Sequence, residues 1–273
     1  MKKLILALLI VLALSIPAYV HAQNDVLIEI ERGRTEGFFT KTQVFQRAIL
    51  SKPDKPTDTA VLFFRGYPGI ARIKSIADKQ RNLLAFMRMN QHIFNDEAIA
   101  LVVMDCPTDQ WNSCYDSYRS SNEHADDVRS VITRLKDEQG ISKIYLFGHS
   151  LGTISSRWLA KNLGNDINGS IHSASINLAN PKGYGSSVYN FPYDTIVTPI
   201  LHVHNENDAC KFTPYSAVKK YAGENLVTVR GGVPEGDPCG GSHLHSYLGR
   251  EELVVRSIIS WIKTKKVDRL IGE

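Results

Sequence analysis

One stretch constrains this 273-residue chain more than any other: Lys143-Ile144-Tyr145-Leu146-Phe147-Gly148-His149-Ser150-Leu151-Gly152-Thr153. A short β-prone apolar run enters a Gly-X-Ser-X-Gly turn, and a segment of helical character, Ile154 to Leu163, follows. In that strand–turn–helix setting the glycines let strand and helix approach closely, while the serine is forced into a strained turn with its hydroxyl exposed. Ser150 is therefore the candidate nucleophile. The bare pentapeptide recurs by chance as a glycine-flanked loop serine, so the rest of the chain must supply a base and an acid.

The first residues bound where the chain goes. Lys2 and Lys3 precede an apolar run from Leu4 to Ile16, then Pro17 and Val20-His21-Ala22, the pattern of a secretory leader cleaved after Ala22. Ser15 and Pro17 cut the run short of the ~20 apolar residues that span a bilayer, and no other stretch is a candidate span. The expectation is a leader over 1–22 and one domain over 23–273, a length that an α/β fold reaches as a single unit. Loss of Lys2 and Lys3 lowers the formal charge from +4 to about +2. That argues against a nucleic-acid partner, which needs a basic face. Export changes how the four cysteines read. Cys106 and Cys114 are close enough to staple one loop, which leaves Cys210 to pair with Cys239. No C-x-x-C pair or zinc-like histidine spacing favours a metal instead, and no cofactor is expected.

Along the chain, 26–30 and 43–50 read as an edge hairpin, punctuated by Gly33, Gly37 and Pro53. Ala60-Val61-Leu62-Phe63-Phe64 and Ile99 to Met104 are continuous apolar runs, as expected of strands buried on both faces. Helical spacing is read over Gln80–Phe94, from Ser121-Asn122-Glu123-His124 to Gln139 with Gly140 as the stop, over Phe212–Tyr221, and over Glu251–Val267. Further strands are expected at 170–176, 199–204 and 226–229. This alternation predicts a largely parallel sheet with helices on both faces, and functional groups at the carboxyl ends of its strands. Downstream of Ser150, one strand runs into Asn205-Glu206-Asn207-Asp208 and the next leads to Ser242-His243-Leu244-His245. The order serine, acid, histidine is that of one serine-hydrolase arrangement and not of the other two.

In these motifs the chain resembles the α/β-hydrolase superfamily over nearly its whole mature length. The resemblance implies an α/β-hydrolase fold, a mostly parallel twisted sheet of about eight strands, with no large cap domain. It implies Ser150 as nucleophile and Asp208, rather than Glu206, as the acid. His245-Ser246-Tyr247-Leu248-Gly249-Arg250-Glu251 resembles the H-G-[FY]-x-G-x-E ending of a little-characterised subgroup of exported α/β-hydrolases. Similarity to that subgroup extends to Asp105, Tyr118-Arg119-Ser120 and Glu123-His124-Ala125. It favours His245 over His243 as the base; Ser246 replaces the glycine, and His149 and Leu151 flank the serine where the subgroup often has threonine and arginine. The oxyanion site is expected from the backbone N–H of Leu151 and of Tyr67, within Arg65-Gly66-Tyr67-Pro68-Gly69.

Leader, motif order and resemblance together imply an exported serine hydrolase of ester or related acyl bonds. A small-molecule or acyl-ester substrate is its partner; peptidase or lipase chemistry, or a non-catalytic binding protein of the same fold, are the alternatives. The insert from Ala179 to Thr198 is short, and its Tyr184, Tyr189, Phe191 and Tyr193 are candidate walls of a substrate pocket, with a self-packed surface loop as the competing reading.

Overall fold

Nine strands form a single sheet in the computed structural model, which describes residues 24–179 and 183–273. The expected leader, 1–22, lies outside the described residues. The strands are β1 (Asn24–Glu36), β2 (Thr42–Lys52), β3 (Thr59–Phe64), β4 (Ala100–Met104), β5 (Lys143–His149), β6 (Gly169–Ser173), β7 (Ile200–Asn205), β8 (Leu226–Val229) and β9 (Leu270–Ile271). Their order is β1-β2-β4-β3-β5-β6-β7-β8-β9. Only the β1–β2 and β2–β4 pairs are antiparallel.

The apolar runs behave as strands covered on both sides. Successive side chains of a strand alternate faces. Val61 and Phe63 join one apolar cluster with Phe86, Val254, Ile258 and Trp261. Ala60, Leu62 and Phe64 join the other with Val128, Ile132, Leu135 and Leu159. Helices α1 (Asn122–Gln139) and α2 (Gly152–Leu163) thus cover one face, and α4 (Glu251–Thr264) covers the other; α3 (Tyr215–Ala222) lies between β7 and β8 in the chain. Fully burying a side chain such as Val61, Leu62 or Phe63 contributes about 1.5–3 kcal/mol, which is why β3 and β4 carry no polar alternation. Ser121 caps α1 by accepting the His124 N–H at 3.1 Å, and Gly140 ends it at φ 70°.

The strand expected over 170–176 ends at Ser173 and the helix expected over Phe212–Tyr221 starts at Tyr215, and three further elements differ more. The helix expected over Gln80–Phe94 is three short pieces, Lys79–Asn82, Ala85–Met89 and Gln91–Asp96, with Leu83 and Leu84 extended between the first two. Asn82 Nδ2 donates to both Ala71 O (3.0 Å) and Asp78 O (2.9 Å), which ties this segment to a neighbouring loop. The last helix stops at Thr264 rather than Val267, because Lys265 turns to φ 61° and its Nζ donates to Tyr145 Oη at 2.6 Å. The tail then adds β9 beside β8, a two-residue strand too short to leave a periodic signal.

Candidate active site

β5 delivers Ser150 to the carboxyl edge of the sheet, at φ 51°. That conformation costs a residue with a Cβ roughly 1–3 kcal/mol and is held by its surroundings. The Ser150 N–H donates to Ser173 O on β6 (2.9 Å), and its carbonyl accepts from Thr153 N (2.9 Å) and Thr153 Oγ1 (2.6 Å). Both flanking glycines are sterically required. A Cβ on Gly148 would collide with Ser156 Oγ and the Gly152 carbonyl, and one on Gly152 with the Phe64 carbonyl.

The loop after β7 holds the acid candidate, Asp208. Asp208 Oδ2 accepts from His245 Nδ1 (2.9 Å) and Thr213 Oγ1 (2.9 Å), and Oδ1 accepts from the Cys210 N–H (2.9 Å). His204 Nε2 lies 3.3 Å from Oδ2 and also donates to Thr213 O at 2.9 Å. Burial alone pushes this carboxyl up, but hydrogen bonds from His204 and His245 more than reverse it, holding it well below the ordinary carboxylate range. Glu206 turns away to Arg230, 3.0 Å distant. His243 is buried, but its Nδ1 finds no partner. Of the two sequence candidates, His245 is the one joined to Asp208.

Ser150 and His245 line the same cavity, of about 490 Å³, with Gly66, Tyr67, Leu84, Leu151, Ile176, Phe212 and both cysteines of the Cys210–Cys239 bridge. A larger hollow, about 690 Å³, opens beside Lys143 and Lys265, but no serine or histidine lines it. Behind Ser150 runs a buried relay. Tyr247 Oη donates to Val203 O (2.9 Å), so it accepts from Ser173 Oγ (2.6 Å), which in turn accepts from His149 Nδ1 at 2.9 Å. Burial, then the neighbouring His245, holds His149 well below the ordinary histidine range.

No protein-family model matches the chain, and no curated protein matches it in sequence. Solved structures do match it in shape. Est1E from Butyrivibrio proteoclasticus aligns with a TM-score of 0.53 at 16% identity, over 86% of this chain and 97% of its own. A cold-adapted esterase from an Arctic intertidal metagenomic library gives 0.56 at 12%, over 89% and 94%. FphF, a fluorophosphonate-binding serine hydrolase of Staphylococcus aureus, gives 0.56 at 12%, over 88% and 98%. The chain has the α/β-hydrolase fold. At these identities the likeness speaks for the fold alone.

Within this α/β-hydrolase fold the loop after β3 brings Gly66 and Tyr67 to the cavity, while the Tyr67 side chain is largely exposed. The Gly69 N–H closes that turn onto Gly66 O at 2.8 Å. Asp105 secures the following residues by accepting the N–H groups of Ala71 (2.8 Å), Arg72 (3.1 Å) and Ile73 (2.7 Å). Both cysteine pairs expected from the sequence are disulfides, Cys106–Cys114 and Cys210–Cys239.

The aromatic wall requires correction. None of Tyr184, Tyr189, Phe191 and Tyr193 lines the cavity that holds Ser150. Tyr184 and Phe191 are buried with Leu151, Ile154, Ile176 and Val188, Tyr193 stacks on Tyr221 at 4.5 Å, and Tyr189 is exposed. Asp116 fastens this insert by accepting the Gly185 and Ser187 N–H groups at 2.9 and 3.0 Å, and the rings of Tyr184, Phe191 and Tyr193 pack on Tyr115, Trp158 and Tyr221. Leu84 and Phe212 line the cavity instead. Leu84 does so because the helix breaks there; no local pattern marked either residue, or Thr213.

Proposed function

We propose that this protein is an exported serine hydrolase that cleaves an ester or related acyl bond through an acyl-enzyme. The observation that carries the reading is the unit of Ser150, in its left-handed turn, sharing a cavity with a histidine whose Nδ1 lies 2.9 Å from the Asp208 carboxylate. With Nδ1–H committed to Asp208, His245 Nε2 carries the lone pair of a general base. Ser150 Oγ attacks the carbonyl carbon and passes its proton to Nε2. The carbonyl electrons move onto oxygen, which the Leu151 and Tyr67 N–H groups receive. The Leu151 N–H opens the first turn of α2 and so has no intrahelical acceptor of its own. Collapse expels the alcohol, which takes the proton from His245 and leaves an acyl ester on Ser150. Water repeats the sequence with His245 as base, releasing the acid and restoring the serine.

The apolar lining from Leu84, Leu151, Ile176 and Phe212 supports an acyl group as the bound moiety. The two disulfides support an oxidising compartment, in keeping with a leader cleaved after Ala22 and a single catalytic domain over 23–273. A fluorophosphonate probe tests the reading. The folded protein is expected to label, while Ser150→Ala abolishes labelling and lowers ester turnover about 10⁴–10⁶-fold. Labelling that survives the substitution overturns it, and failure of the wild type to label favours a binding protein of the same fold.

A further inference from the structure

We propose that Arg119 is a positioning residue for the oxyanion site, a buried cation whose charge is answered only when negative charge develops between the Tyr67 and Leu151 N–H groups. The inference rests on the hydrolase reading above. The Arg119 side chain is fully buried. Its Nη2 donates to Gly69 O at 2.8 Å, Nη1 to Ser155 Oγ at 2.7 Å and Nε to Cys114 O at 2.8 Å. The guanidinium therefore joins the turn after β3, the first turn of α2 and the loop closed by Cys106–Cys114. A Cβ on Gly69 would meet Arg119 Nη2 at 2.5 Å and Leu151 Cδ2 at 2.9 Å. The cation, the Tyr67 turn and the residue after the nucleophile thus share one contact.

These acceptors are neutral, as is Cys106 Sγ, a further contact of Nη2 at 3.7 Å, and among the described residues no carboxylate lies within ion-pair distance of Arg119. Asp105 and Asp116 act on it only at longer range, and backbone N–H groups already bind both. Burial pulls the guanidinium below its ordinary value. An unpaired buried charge is costly. The cost is compounded here, because the Ser155 contact sets the cation at the amino end of α2, where the helix dipole is also positive. Two positive sources converging on one end of a helix are unfavourable in the resting protein. They become favourable when a carbonyl oxygen acquires charge beside Leu151, and fixed donors of this kind need no reorganisation at that moment.

Arg119→Gln and Arg119→Lys test this with a p-nitrophenyl ester, turnover being expressed per site titrated by the fluorophosphonate probe. Arg119→Gln is expected to lower kcat per titrated site about 10–100-fold, with KM within about two-fold, while Arg119→Lys restores kcat to within about five-fold of wild type. A residue that only packs would lower the titratable fraction and Tm and leave kcat per site alone. Unchanged kcat in Arg119→Gln, or an equal fall in both variants, overturns the proposal. If Arg119→Gln does not fold, Ser155→Ala removes one tether and is expected to lower kcat per site about three-fold; an unchanged value overturns it. A wild type that never labels defeats the hydrolase reading itself. A labelled wild type matched by its variants defeats only the assignment of Arg119.

Discussion

His124 is buried against Phe64 and Tyr118, and neither ring nitrogen has a partner. Burial, then the nearby Arg119, pushes it down to about 3. Burial likewise holds His149, His172 and His202 well below the usual range. Each of these folded-state values lies below the unfolded one, so as pH falls from about 6.5 the unfolded chain takes up protons that the native protein refuses. Stability therefore declines with acidification, by about 1.4 kcal/mol per pH unit for each such histidine. Asp208 has the same sign over a lower window. Its depressed value contributes stability above about pH 4 that is lost as pH falls further. Urea unfolding of His124→Phe at pH 7.5 and pH 5 checks this. The stability gap between the two pH values is expected to narrow by about 2 kcal/mol relative to wild type, and an unaltered gap would show that His124 already charges in the folded state.

At the scale of elements, the turn between β5 and α2 is the tightest junction in the molecule. β5 pairs with β3 in parallel, with Phe64 opposite Gly148, which brings the Phe64 carbonyl against Gly152 as the chain turns into α2. Gly152→Ala should therefore force strand and helix apart, at about 3 kcal/mol in stability, and displace Ser150 from its cavity. Thermal melts and probe labelling measured together check it; full labelling at an unshifted Tm would mean that the junction relaxes freely. The same scale shows where sequence patterns were readable. α1 carried its own cap, its own stop and an apolar stripe, so its bounds were legible from Ser121 and Gly140. The segment over 79–96 kept its apolar spacing but not its helix, since Asn82 is engaged by a loop distant in sequence. The β1–β2 ribbon runs longer than its apolar residues suggested, because Arg32 and Arg34 pair with Asp127 on α1.

In the whole molecule, the loops after β7 and β8 bring Asp208 and His245 together from positions 37 residues apart, and the Cys210–Cys239 bridge joins them. Cys210 follows Asp208 by two residues, and both cysteines line the cavity. Small displacements of a catalytic pair are expensive in rate. On the proposed reading, the Cys210→Ser/Cys239→Ser variant is expected to lose about 10–100-fold in kcat per titrated site and about 2–4 kcal/mol in stability. The Cys106→Ser/Cys114→Ser variant is expected to lose stability with a much smaller effect on kcat. Equal losses of kcat in the two double variants would remove any special role for the first bridge.

The sequence alone determined what local chemistry can encode: apolar runs that must be covered on both faces, a glycine-flanked serine between strand and helix, and a later acid and histidine in one order. Choosing His245 over His243 and Asp208 over Glu206 relied there on a resemblance; in the folded chain a 2.9 Å hydrogen bond joins one pair, while Glu206 lies against Arg230. Only the tertiary structure drew Leu84 and Phe212 to the cavity and packed Tyr184, Phe191 and Tyr193 of the insert on Tyr115, Trp158 and Tyr221. Only it enclosed Arg119 with no carboxylate within ion-pair distance among the described residues. The reason is physical: these outcomes depend on contacts between segments far apart in the chain, and neither composition nor periodicity reports which distant atoms will meet.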